Sequence, residues 1–232
     1  RRGLTGSLLL VISDFGIPLL WATYIFQITI YALLFTFVIK LYQHTQRSLF
    51  WLVILYSPAF LLFPFYDLQG GFRKEIMVLA IFAYHCFIYA TNSVTHGKIC
   101  LIILLFFIAA LSHEVTVFTL PFFLYLFYKS FEKTHLSKSV ATSYGLSLIL
   151  VSIAVLIFAN FYKGSSDTAS LICQSLTERA LDPSICTGAI SALSEDSKSS
   201  INNVINGLSF GSISTLILFI LSFLPFHFTS FW

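Results

Sequence analysis

The sequence predicts an all-α protein, a polytopic transmembrane helix bundle of about seven spans. Three observations predict it. Hydrophobic residues make up 57% of the chain and charged residues 10%. The mean hydropathy is +0.88. The apolar residues fall in runs near membrane-span length, separated by short polar turns. An ordinary soluble domain does not combine these features. The net charge of +3 is small and gives no electrostatic footprint for nucleic acid. The lipid bilayer is the expected partner, which the 26 phenylalanines suit.

The chain starts Arg1-Arg2 without Met and stops at Phe231-Trp232 just after an apolar run. It reads as a fragment, a single transmembrane domain over 1–232 with further spans expected on both sides. Residues 4–13 are apolar but too few to cross, since a span needs about 20. Pro18 sits near the first turn of the next helix, where its missing N–H costs nothing. Spans are then expected at 17–40, 48–65 (with Pro58 and Pro64), 75–89, 140–160 and 210–228. A Ser-rich segment over 161–209, with short surface helices at 170–179 and 185–193, reads as a folded extracytoplasmic lid.

Residues 99–129 supply the remaining two spans. The run is apolar throughout except for Ser112-His113-Glu114. It is too long for one span and short for two, so a broken helical hairpin with its tip at His113-Glu114 is expected. Each arm rises roughly 22 Å, against a hydrocarbon core of about 30 Å. The tip therefore holds an imidazole and a carboxylate inside the outer half of the membrane. Ionisable groups there face a watery cavity or a partner. In the structural alternative, Ser112 caps the helix that starts near Glu114.

Alternating the spans places loops 40–47, 92–98 and 129–138 on one side. They carry Lys40, Arg47, Lys98, Lys129, Lys133 and Lys138 against one acid, Glu132. The positive-inside rule makes that side cytoplasmic. Asp67, Arg73, Lys74, Glu75, His113 and Glu114 then face outward, with Asp14 and Arg2 expected to border them. Cys173 and Cys186 share the outward loop and are expected to form a disulfide, which an oxidising compartment permits.

Arg73-Lys74-Glu75 opens the third span on the outer face, after Gly70-Gly71. A helix start favours anions, and a guanidinium adds bidentate capture of phosphate. Arg73 and Lys74 are thus candidate diphosphate ligands, with Asp67 and Glu75 in support. Glu75 either complements the helix dipole or orients Arg73. The alternative is interfacial anchoring. His113 and Glu114 are the candidate general base or proton relay, the alternative being a structural helix start. They do not form a zinc-protease motif, because position 117 is valine. No phosphate-binding loop, dinucleotide glycine motif or Cys/His metal spacing is found. Neither a cofactor nor a metal is expected. His85, mid-span, is expected to make a helix–helix hydrogen bond, and His96 to lie in a cytoplasmic loop.

The stretch FYDLQGGFRKEIMVLAI, followed by LSHEVTVFTLPFF, resembles bacterial polysaccharide polymerases of the O-antigen/capsule (Wzy-like) group. It is also similar to EpsG-like proteins of exopolysaccharide clusters. The likeness covers about 65–125. It implies a bacterial inner-membrane glycosyltransferase, GT-C-like or polymerase-like, joining polyprenyl-diphosphate-linked sugar repeats on the periplasmic face. It implies Arg73 as the arginine and His113 as the histidine of such a site, and a chain-length regulator protein as a partner. A flippase or transporter for lipid-linked sugars is the second expectation, though it would line a whole pore with charge. A non-enzymatic membrane scaffold or an acyltransferase is the third, though an acyltransferase would need a cytoplasmic donor entrance and His113 is expected to face outward.

Overall fold

A computed structural model describes residues 3–44, 74–133, 138–161, 165–179, 186 and 190. Every element among these is helical. Two compact units are present, Arg1–Lys163 and Gly164–Trp232, and each is described alone. The expected spans at 48–65 and 210–228, with Asp67 and Arg73, lie outside the described residues, as does most of 180–209.

In the first unit α1 is Gly3–Asp14 and α2 is Leu19–His44. The short α1 matches its short apolar run. Pro18 stands just before α2 and its carbonyl accepts the Ala22 N–H at 3.1 Å. Helix α3 is Glu75–Ala90, and it ends in a tight turn where Asn92 takes a left-handed φ of 49°, a conformation asparagine tolerates better than most residues. Helix α4 follows at His96–Ser112, because the Thr95 hydroxyl caps the Lys98 N–H at 3.4 Å. His96 is therefore the first residue of a helix, not part of the preceding loop.

The broken hairpin forms. His113 leaves helical geometry (φ −156°, ψ 108°), ending α4. Two turns of 3-10 helix follow over Glu114–Thr119, and α5 begins at Leu120 and runs to Lys133. Pro121 falls in the first turn of α5, where no intrahelical donor is required. It could not bond back to residue 117 in a continuous helix, which favours the break. The arms are antiparallel. Phe123 packs edge-on against Phe106 at 5.0 Å, and lower down Phe131 stacks on Tyr144, which bonds His96 at the start of α4. Helix α6 is Lys138–Phe161.

Helices α3 to α6 share one core, in which Phe106, Phe123, Ile99, Ile102 and Leu148 are fully buried. Helix α2 lies parallel to α3, through Leu34 and Val38 against Ile76, Ala80 and Ala83. Phe37 is 5.0 Å from Tyr84 by ring centres. His85 does not make the expected helix–helix bond through Nδ1, which has no partner among the described residues. Its ring packs on Phe127 at 4.5 Å and Phe123 at 6.0 Å instead. Two helices, Leu19–His44 and Ser139–Phe161, are long and apolar enough to cross a membrane. Their outward faces are apolar too, with Leu20, Ile25, Ile28, Leu150, Ile153 and Phe158 exposed.

In the second unit α7 is Ser166–Thr177, capped by Ser165 accepting the Thr168 N–H at 3.1 Å. It starts four residues before the expected position because of that cap. Cys173 and Cys186 form the expected disulfide, with Cα atoms 5.5 Å apart.

Helix α1 is tied to the hairpin tip. Thr5 Oγ1 hydrogen-bonds Ser112 Oγ and lies 3.6 Å from Met77 Sδ. Gly3 has φ +63°, and a Cβ there would run into the Ser112 carbonyl. Gly3→Ala is expected to cost about 1–3 kcal/mol, seen as a lower melting temperature in detergent. An unchanged melt would show that α1 docks elsewhere.

Candidate functional site

Glu75 opens α3, and His113 closes α4, on the antiparallel neighbour. Antiparallel packing brings these ends to one level. His113 Nε2 lies 3.1 Å from Glu75 Oε1, with the two side chains 28% and 40% exposed. A carboxylate can only accept, so Nε2 donates to it, and in the neutral ring Nδ1 is then the lone-pair nitrogen. The extended backbone at His113 lets the ring reach across. A helix continued through that position would have turned it along the α4 axis.

Lys74 immediately precedes Glu75 in the turn before α3. Burial pulls its ammonium below the usual lysine range, and the charges of Glu114 and then Glu75 oppose that shift. Glu114, exposed at the start of the 3-10 turn, is therefore close enough to help keep Lys74 charged. The tip and the basic turn, 38 residues apart in sequence, thus form one cluster: Lys74, Glu75, His113 and Glu114. Glu75 serves His113 rather than only the helix dipole. Any link from Glu75 to Arg73 falls outside the described residues, as does the support expected from Asp67.

Ser112 does not cap the following turn. Its hydroxyl is buried and donates to the Ile108 carbonyl at 2.8 Å, while the 3-10 turn has no side-chain cap. It braces the tip from below, with Thr116 Oγ1 donating to the Ala109 carbonyl at 3.4 Å. Asp14 closes α1, about 14 Å from Thr5 by helical rise, and Arg2 lies outside the described residues.

The cluster is set at a step. Phe37 pairs with Tyr84, so counting back along both helices brings Glu75 level with about Ile28. Helix α2 continues about nine residues beyond that level, ~14 Å. On the other side Val155 of α6 packs at Ala110 and Val117, and α6 runs on to Phe161. The longer helices thus rise past the ends of the shorter ones. Two further polar residues belong to this layer. Thr5 is buried against Ser112, and Gln27, buried on α2, falls within a residue of the Lys74 level by the same register. An amide in the apolar middle of a 26-residue helix is a sequence signal that could have flagged Gln27.

Among the described residues no cluster of three His, Cys, Asp or Glu side chains is placed to hold a metal. The chemistry available is a carboxylate-oriented imidazole beside a partly desolvated cation. Comparison with known proteins supplies no relative, because no family model, no curated protein and no solved structure matches the chain. The class defined by fold and site is a helical protein with membrane-length apolar helices and a recessed Glu–His–Lys cluster.

Proposed function

We propose that the protein is a multi-pass glycosyltransferase of the polysaccharide-polymerase type, joining polyprenyl-diphosphate-linked sugar repeats at the outer face of a bacterial inner membrane. The observation that carries this reading is the Glu75–His113 contact at 3.1 Å with Lys74 next to it. It pairs a base with a cation at one end of the bundle, as transfer from a diphosphate requires. The remaining spans complete a bundle of about seven, with the Lys-rich turns cytoplasmic. The apolar outer faces of α2 and α6 support lipid contact.

In the reaction His113 Nδ1 accepts the proton of the attacking sugar hydroxyl. That oxygen bonds the anomeric carbon of the donor as the bond from this carbon to the diphosphate oxygen breaks. Charge grows on the departing diphosphate, and Lys74 meets it from a preorganised position. Arg73, next in sequence, adds bidentate contacts. Glu75 holds the His113 tautomer, as a buried carboxylate does in a serine-hydrolase triad. Glu114 keeps Lys74 protonated.

The test is reconstitution of the full chain in vesicles with a lipid-linked repeat as substrate. Polymer ladders with release of polyprenyl diphosphate are expected. Movement of intact lipid-linked repeat across the bilayer without new glycosidic bonds would establish a transporter instead.

A further inference from the structure

At the opposite end of the bundle from the Glu–His–Lys cluster, a second group of donor side chains converges. His96 and Cys100 are four residues apart in the first turns of α4, so they lie on one helix face. Tyr144 of α6 reaches them both. Its hydroxyl is 3.0 Å from His96 Nδ1 and 3.8 Å from Cys100 Sγ. His96 and Cys100 are exposed, and Cys100 is a free thiol. The nearest cation in sequence, Lys98, turns away and donates to the Ser93 carbonyl at 2.8 Å. Phe131 stacks on the Tyr144 ring at 6.2 Å and fixes its direction.

A His–Tyr hydrogen bond would by itself be a tether between helices. The thiol changes its chemistry. Zinc is bound at about 2.0–2.1 Å by imidazole and about 2.3 Å by thiolate, so donors sharing a tetrahedral ion stand roughly 3.3–3.5 Å apart. The two observed separations bracket that spacing. Imidazole and thiolate select a borderline-to-soft ion over magnesium or calcium. On the proposed topology this end faces the reducing cytoplasm, where a thiol persists.

We propose that His96, Cys100 and Tyr144 form a three-donor site for a zinc-like divalent ion, with water in the fourth position, clasping the inner ends of α4 and α6. His96 and Cys100 become a one-face pair only because α4 starts at His96, and the third donor comes 44 residues after Cys100. The site does not depend on the outer chemistry, because none of its residues touches that cluster.

The experiment uses the full chain purified in detergent, titrated with cobalt(II) and then zinc. Wild type should take up one ion per chain, show a cobalt–thiolate charge-transfer band, and melt at a higher temperature with zinc. Cys100→Ser and His96→Ala should lose the band and the thermal shift. Their affinity should fall by more than the ~10–100-fold that losing an outer-shell partner costs. Cys86→Ser, altering the other free thiol, should keep both. Tyr144→Phe should weaken binding while retaining the thiolate band. A wild-type chain without the band, a band that survives Cys100→Ser, or unchanged affinity in Tyr144→Phe would overturn the site. Polymer formation by Cys100→Ser separates this outcome from failure of the glycosyltransferase reading.

Discussion

His113→Ala is expected to lower turnover by ~10²–10⁴-fold, the range typical of a removed general base, while leaving donor binding intact. The imidazole is held by one contact from Glu75 and stands where the backbone leaves α4, so its loss should not unravel the hairpin. An unchanged melting temperature checks that. Glu75→Gln should be nearly as damaging. The amide can donate to Nε2 and so move the ring proton to Nδ1, leaving no lone pair there for the substrate hydroxyl. In a serine-hydrolase triad the equivalent change costs about 10⁴ in turnover, and ~10² or more is expected here. Wild-type polymer ladders from His113→Ala would remove the histidine from the chemistry.

Lys74→Ala should cost ~10²–10³-fold, as loss of one preorganised charge-stabilising group does, and it should weaken donor binding as well. The pH dependence has a defined sign. Burial lowers the lysine's pKa, so the ammonium is lost at a lower pH than for an ordinary lysine. Donor binding should therefore fail on an alkaline limb that begins below the usual lysine range. Lys74→Arg, permanently charged, should shift that limb upward. For stability the direction is opposite. The depressed pKa means the folded state disfavours the charged form, so this contribution is full above the unfolded pKa and lost as pH falls through the folded one. Lys74→Met should thus melt no lower than wild type near neutral pH while being inactive. A coincident loss of stability and activity would make Lys74 a structural residue.

Much of the architecture was legible in the order of residues. The tip at His113-Glu114 was visible because an apolar run of that length has nowhere else to turn. The Cys173–Cys186 bridge was visible because both thiols fall in one loop. The partnership of Glu75 with His113 was not visible. It depends on the register between two helices and on the backbone leaving α4 at one particular residue. Spacing within a segment carries neither. The capping expectation for Ser112 failed for a local reason: a hydroxyl in the last turn of an apolar helix bonds back to the carbonyl four residues earlier. The start of α4 was misplaced because Thr95, not a loop residue further on, provides the cap. Thr5 was overlooked because its helix is too short to span, although it packs where the tip needs a polar neighbour.

The Thr5–Ser112 bond joins residues 107 positions apart, which sets an order of events during synthesis. At about 5–20 residues per second, the first helix leaves the ribosome ~5–20 s before its partner exists. Through that interval the Thr5 hydroxyl must bond water or its own backbone instead of its final neighbour. Closure of the upper end of the bundle is therefore a late step in biogenesis, reached only after the hairpin has been inserted.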